Sequence, residues 1–252
     1  MTAHAAGNVL VVDADDPTTW PQPFAAFVQQ RATEADLEEL DLYVDLPLHE
    51  HEDEARRMLA GHLVRVRHCT RLLDHEAEMI RAQGLRPLDL ALVHERLDQA
   101  LERGLLTEEQ HAMLARENSL THGRWGRRDG QVCLVLSTAP LEHNLPGVRR
   151  FFSFWGGEAI YWRYHETHPE LAAVLSTIGR PALVTALLDL SDPTADHRIF
   201  PSLLHAFVGK ALGYAPADAE VFYRASVPGN HVENIAFPGQ RDYDRFPLLP
   251  RS

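Results

Sequence analysis

Three short stretches of the chain set a chemically useful side chain beside small residues at the edge of a strand-like run. In Val64-Arg65-Val66-Arg67-His68-Cys69-Thr70 an alternating segment delivers His68 into a polar Cys-Thr-Arg turn. In Gly156-Gly157-Glu158-Ala159-Ile160-Tyr161 a glycine pair leads to a phenol, and after Val227-Pro228-Gly229 the chain reaches Glu233. An imidazole with a neighbouring hydroxyl can hold the polar groups of a ligand, and a phenol ring can stack on a flat one. A carboxylate can offset positive charge that develops during reaction. Glu233 takes this third role by position, with Glu220 as another late carboxylate nearby.

Each residue also has an ordinary structural counterpart. A His at a strand end beside Thr is commonly a hydrogen-bonded structural residue. Tyr161 stands among Phe151, Phe152, Phe154, Trp155 and Trp162, which also reads as an aromatic core strand. Cys69 beside His68 suits a nucleophile or a small buried thiol. Fifteen histidines raise a metal reading through His49, His51, Glu50, Glu52 and Glu54, or through His165 and His168, but no His-Glu-x-x-His pattern is present. The chain also lacks the Gly-x-Ser-x-Gly of serine hydrolases, the Gly-Lys of a P-loop and a helix-opening Gly-x-Gly-x-x-Gly. The loop Arg124-Trp-Gly-Arg-Arg128 suits a phosphate or acidic partner, or plain solvation.

These residues need elements to position them. The run Val64 to Thr70 predicts a strand, followed by a helix with Leu73, Ala77 and Ile80 on one face and a stop at Gly84-Leu85. Leu90, Val93, Leu97 and Leu101 mark a second helix, and Thr107-Glu-Glu-Gln110 has the form of a capping box opening a third, which together predict a helical hairpin over residues 87 to 118. Strands are expected at Asn8 to Asp13, Val132 to Ser137, Pro181 to Ser191 and Glu220 to Val227. Helices are expected at Phe24 to Arg31, Leu48 to Leu63, Pro169 to Ile178 and Phe200 to Gly213, while Asp36 to Leu46 suits either state. Strands and helices in no strict alternation predict an α+β fold.

The 252 residues, 45% of them hydrophobic, suffice for one sizeable core. Residues 1 to 60 carry 13 acidic and 3 basic side chains of the 36 and 24 in the chain, so the net charge of -12 is concentrated at the front. This predicts an acidic amino-terminal extension over 1 to 60 and a main domain over 61 to 252, with no general grip on nucleic acid. Two cysteines are too few for a disulfide framework, and no apolar run approaches the ~20 residues of a membrane span. A cytoplasmic protein without a membrane partner is expected.

The order of parts resembles the ADP-ribosyltransferase superfamily, in the His-Tyr-Glu branch that includes diphtheria toxin and the poly-ADP-ribose polymerases. The matching residues are His68-Cys69-Thr70, the helix running to Gly84-Leu85, the Gly156-Gly157 turn into Ile160-Tyr161, and the Glu233 region before Pro238-Gly239. The resemblance implies a split, strongly bent β-sheet with the helical hairpin as an insertion, and NAD as co-substrate. It implies catalysis by His68, Tyr161 and Glu233, with NAD held by His68, Cys69, Thr70, Gly84, Ser153, Gly157 and Tyr161. The reaction would break the nicotinamide–ribose bond and pass ADP-ribose to an acceptor: a protein, a nucleic acid, a small molecule or water. Arg65 or Arg67 with Ser153 and Glu233 would suit the Arg-Ser-Glu branch, whose Ser-Thr-Ser and Glu-x-Glu patterns are missing. A catalytically silent nucleotide- or protein-binding module on the same scaffold and a His-rich metal hydrolase are the other expectations.

Overall fold

The computed structural model describes residues 9–37, 48–121, 128–143, 146–161, 168–190, 196–213 and 220–251. Expectations for Asn8, residues 38–46, Arg124, Trp162, His165 and Ser191 lie outside them. The architecture is mixed α+β, organised on a seven-stranded open sheet.

In chain order the strands are β1 (Val11–Val12), β2 (Leu63–Leu72), β3 (Val132–Val135), β4 (Arg180–Asp189), β5 (His197–Phe200), β6 (Glu220–Tyr223) and β7 (Val232–Ala236). They lie in the order β5-β6-β3-β2-β4-β7, all antiparallel, with β1 added parallel to the start of β2. Strands β2 and β4 are equally long, and all ten residues of β2 pair with β4, from Leu63 opposite Asp189 to Leu72 opposite Arg180. This corrects the expected exit turn: Cys69, Thr70 and Arg71 remain in the ladder, and His68 sits in mid-strand. The three read as a turn because they are polar, yet Thr70 and Arg71 are buried.

Period-two alternation divides β2 between the two faces of the sheet. Val64, Val66 and Leu72 enter the main core with Ala182, Val184, Ala186 and Leu188 of β4. Helix α1 (Gln22–Leu37), α2 (Glu52–Leu59) and α10 (Leu203–Ala211) supply much of that core, and the rings of Phe24 and Phe207 meet edge to face at 4.8 Å. Residues of the acidic front segment are therefore integral to the packing: Val12, Trp20, Phe24, Val28 and Leu59 all belong to this cluster. The opposite face carries Cys69, Phe152, Leu183, Tyr243 and Phe246, brought there by α7 (Pro146–Ser153) and the carboxy-terminal segment.

A smaller core lies between the hairpin of α4 (Leu90–Glu102) and α5 (Glu108–Glu117), the short α8 (Gly157–Tyr161), and α9 (Pro169–Thr177). Both helices of the hairpin are capped: the Asp89 carboxylate accepts from Leu92 N–H, and Thr107 and Gln110 close the expected capping box. The aromatic run from Arg150 is not a strand. It forms the end of α7 and all of α8, separated by Gly156 and Gly157 with φ of +95° and +67°. Val148 and Phe152, four apart, both face the sheet from α7, a helical spacing that the surrounding aromatic residues conceal. No helix among the described residues is long and apolar enough to cross a membrane.

Helix α3 (Asp74–Gln83) runs off β2 and stops at Gly84, whose φ of +91° and ψ of -167° are essentially confined to glycine. An added Cβ there would overlap the Val227 carbonyl oxygen, where Leu85 and Val227 exchange two backbone hydrogen bonds of 2.9 Å. Gly84→Ala is expected to cost about 2 kcal/mol from conformation alone. Thermal denaturation should show a melting temperature lower by roughly 5 °C or more; an unchanged value would contradict this reading of the crossing.

Candidate functional site

One edge of β2 is fully paired with β4, but the other is interrupted. It takes β1 at Leu63 and Val64, then β3 through Arg67 and Val135, and beyond that point β2 and β3 diverge. A cavity of about 150 Å³ occupies the gap, lined by His68, Thr70, Gln131, Phe151, Glu158 and Glu220 among others. A second lobe of about 110 Å³ lies toward α3, and His68, Thr70 and Arg96 line both lobes.

His68 spans the gap. Its Nδ1 lies 2.8 Å from the Cys133 carbonyl oxygen, which accepts only from an N–H, so Nδ1 carries the proton. Burial, opposed by this bond and reinforced by the charge of Arg96, lowers the imidazole pKa below 6.5. The neutral ring keeps Nε2 as a bare hydrogen-bond acceptor. Between the folded pKa and 6.5 the unfolded chain binds a proton that the folded chain refuses, so this contribution to stability is whole above 6.5 and lost as pH falls. The melting temperature of His68→Gln should therefore fall less than that of the wild type between about pH 7.5 and about pH 5.5. Equal falls would show that His68 titrates alike in both states.

Two charged groups frame the cavity. On the α3–α4 side the buried Glu76 carboxylate accepts from Leu73 N–H at 2.8 Å, from Arg96 Nε at 2.7 Å and from Trp155 Nε1 at 3.0 Å. The guanidinium of Arg96 lies 4.8 Å over the Trp155 ring. Burial raises the Glu76 pKa, but Arg96 and the three hydrogen bonds outweigh it and hold the carboxyl below its ordinary range. On the β3–β6 side Glu158 bridges Arg128 at 2.6 Å and Arg150 at 2.7 Å, while Glu220 stands 3.9 Å from Arg128. Glu220 opens β6 opposite Val135, the last residue of β3, which places its carboxylate at the mouth of the gap.

Of the residues expected from sequence, His68, Cys69, Thr70 and Gly157 surround this cavity, and Gly84 reaches the second lobe. The Cys69 side chain packs into the core on the other face, and burial pushes its thiol up to about 12, which makes it an inert core residue. Tyr161 does not line either lobe. It is 2% exposed in the smaller core, its ring 5.2 Å from Phe154 and its hydroxyl without a hydrogen-bond partner. Ser153 donates to its own helix at Arg149 O and borders a separate groove with Arg71.

Glu233 is also elsewhere. Arg65 holds it through two hydrogen bonds of 2.6 and 3.0 Å, and Arg65 stands three residues before His68, so the two side chains leave opposite faces of β2. The same face carries Arg67, Asp13 and Asp15 in one ion-pair network that ties β1 to β2. Glu220 is the late carboxylate that shares the cavity with His68. Sequence reasoning passed over Arg96, Gln131 and Glu158, which flank the apolar positions and glycines that mark their elements. Among the described residues no three His, Cys, Asp or Glu side chains are grouped to hold a metal ion, and His51 instead meets Arg31 at 3.0 Å. No family model matches the chain, and neither does any curated protein or solved structure.

Proposed function

We propose that the protein breaks the nicotinamide–ribose bond of NAD and passes ADP-ribose to an acceptor, with His68 and Glu220 as the catalytic pair. The observation that carries this reading is that a neutral imidazole and a late carboxylate share one ring-sized cavity beside a Gly-Gly turn. A volume of about 150 Å³ suits one six-membered ring, as an engineered apolar cavity of that size takes up benzene. The lining is largely apolar, through Leu85, Leu88, Leu92, Val132 and Phe151, as a site for a flat ring requires.

In this reading the bond from ribose C1′ to the pyridinium nitrogen breaks and its electron pair neutralises that nitrogen. The positive charge passes to C1′ and the ring oxygen. His68 Nε2 accepts a hydrogen bond from a ribose hydroxyl, and the Thr70 hydroxyl lies two residues along the same strand face. Glu220 holds a second ribose hydroxyl and offsets the charge at C1′, while Glu158 is committed to Arg128 and Arg150. Phe151, which lines the cavity, provides the stacking wall expected of Tyr161, while Tyr161 packs in the smaller core with Ile160 and Phe154.

Chromatography of nicotinamide released from NAD tests the proposal. Wild type should release it, and His68→Ala should slow release by on the order of 10²-fold with its circular dichroism unchanged. Equal rates in the two proteins would reject the assignment. A melting temperature raised by NAD without any release would favour the silent binding module instead.

A further inference from the structure

We propose that the groove bordered by Arg71 and Ser153 binds a ligand carrying several linked phosphates, at a site separate from the ring-sized cavity and independent of the NAD reading. Arg71 and His68 stand three apart on β2, so their side chains leave opposite faces of the sheet. The groove shares no lining residue with either lobe of the cavity. Its lining includes Arg71, Arg149, Arg180 and Arg251 and no carboxylate. In a chain of net charge -12, four guanidinium groups around one depression with no acid among them reverse the general balance. Guanidinium forks match phosphate oxygens two at a time. The groove measures about 780 Å³, within the range of small-molecule sites and more than one tetrahedral anion fills.

The four arginines differ in what they have left to give. Arg71 donates to the carbonyl oxygens of Ile178, Phe152 and Gly179, and its charge offsets the negative ends of α7 and α9, which would otherwise oppose an anion. The other three come from separate elements. Arg149 is exposed on α7 and has no carboxylate partner among the described residues. Arg180 opens β4, lies 4.2 Å over the Phe237 ring and meets Asp74 at 2.7 Å, while Arg251 pairs with Asp244. Both pairs are exposed, and Asp74 and Asp244 stand outside the lining. Such pairs are weak, so a phosphate chain draws these guanidinium groups to itself at little cost. The hydroxyls of Ser153, Ser176 and Thr177 each donate to a carbonyl of their own helix, and a turn about χ1 redirects them to a phosphate oxygen in a stronger, charge-assisted bond. Pro181, Pro238 and Pro250 bring no N–H and form a stiff apolar wall, against which the sugar or base of a nucleotide can lie.

Isothermal titration with tripolyphosphate, orthophosphate and ATP tests this on the wild-type protein, Arg149→Glu and Arg57→Glu. Arg57 is exposed on α2 outside the groove, so the second variant makes the same change in net charge elsewhere. Wild type should bind tripolyphosphate at least about tenfold more tightly than orthophosphate. Arg149→Glu should weaken tripolyphosphate by about tenfold or more, with its circular dichroism and ligand-free melting temperature unchanged, and Arg57→Glu should stay within about twofold of wild type. Arg149→Gln, which only removes the charge, should show a smaller loss in the same direction and carries the test if the reversal disturbs folding. ATP identifies the source of the phosphates. Affinity for ATP well above that for tripolyphosphate, with the excess lost in Arg149→Glu, assigns a nucleotide on the proline wall; equal affinities assign the phosphate chain alone. Failure of the wild type to bind tripolyphosphate would overturn the proposal, and so would equal losses in Arg149→Glu and Arg57→Glu, which would reduce the effect to net charge.

Discussion

Replacing Glu220 by Gln should slow nicotinamide release from NAD by on the order of 10²-fold or more, while Glu233→Gln leaves the rate within about twofold. Gln is nearly isosteric with Glu, so packing against Val135 and Arg128 persists and the missing quantity is one negative charge at the mouth of the gap. A preorganised charge matters most where positive charge accumulates, and the loss should appear in kcat more than in KM. Glu233 makes its short contacts to Arg65 across the sheet from His68, and both side chains are about 30% exposed. Its loss should therefore cost on the order of 1 kcal/mol of stability or less. A reversed pattern, with Glu233→Gln inactive and Glu220→Gln active, would return the catalytic role to the residue first expected.

The largest effect on stability is expected at Arg71. Its guanidinium donates to three carbonyl oxygens, Ile178 at 3.0 Å, Phe152 at 3.1 Å and Gly179 at 2.8 Å, and the residue is 3% exposed. These oxygens lie at or just beyond the carboxy-terminal ends of α7 and α9, the negative ends of two helix dipoles. Burial lowers the Arg71 pKa, and no carboxylate pairs with it among the described residues. Arg71→Met fills the space but leaves three carbonyls unpaired, for a loss of about 4 kcal/mol. This corresponds to roughly 10 °C in melting temperature. Arg180→Met, which removes an exposed pair with Asp74 and a guanidinium 4.2 Å from the Phe237 ring centroid, serves as the control and should cost no more than about 1 kcal/mol. Comparable losses in both variants would show that the Arg71 carbonyls remain solvated.

Much of the frame was legible because local signals agree with the final packing. The β2–α3–Gly84 unit, the α4–α5 hairpin with its Thr107–Gln110 cap, and the β4 run all follow from periodicity and caps. The end of β2 was misread because Arg71 looks like a turn residue until its two helix ends are known. The aromatic run around Phe151 favours strand by propensity, and its helical form follows from packing on the sheet and from the two glycines. The choice between Glu220 and Glu233 rested on which of them lines the cavity beside His68. The β4–β7 register shifts between Thr185 and Ala186, so Glu233 cannot be assigned by counting alternation along β7. Arg96 was concealed because α4 reads as an apolar stripe, and Arg96 stands beside that stripe next to Leu97.

The narrow junction between β2 and β3 makes the sheet two slabs, joined at their centre by the Arg67–Val135 pair and the His68–Cys133 bond. Opening confined to this seam breaks few backbone bonds while the shared core, which holds Val132, Leu134 and Val221 beside Val64 and Val184, stays packed, so it should cost less than global unfolding. Amide protons along β3 are thus governed by local opening, and whatever fills the gap slows their exchange with solvent. By thermodynamic linkage the same opening weakens every ligand of the gap in proportion to the time the seam stands open, so a residue remote from the cavity that tightens the seam raises affinity without touching the ligand.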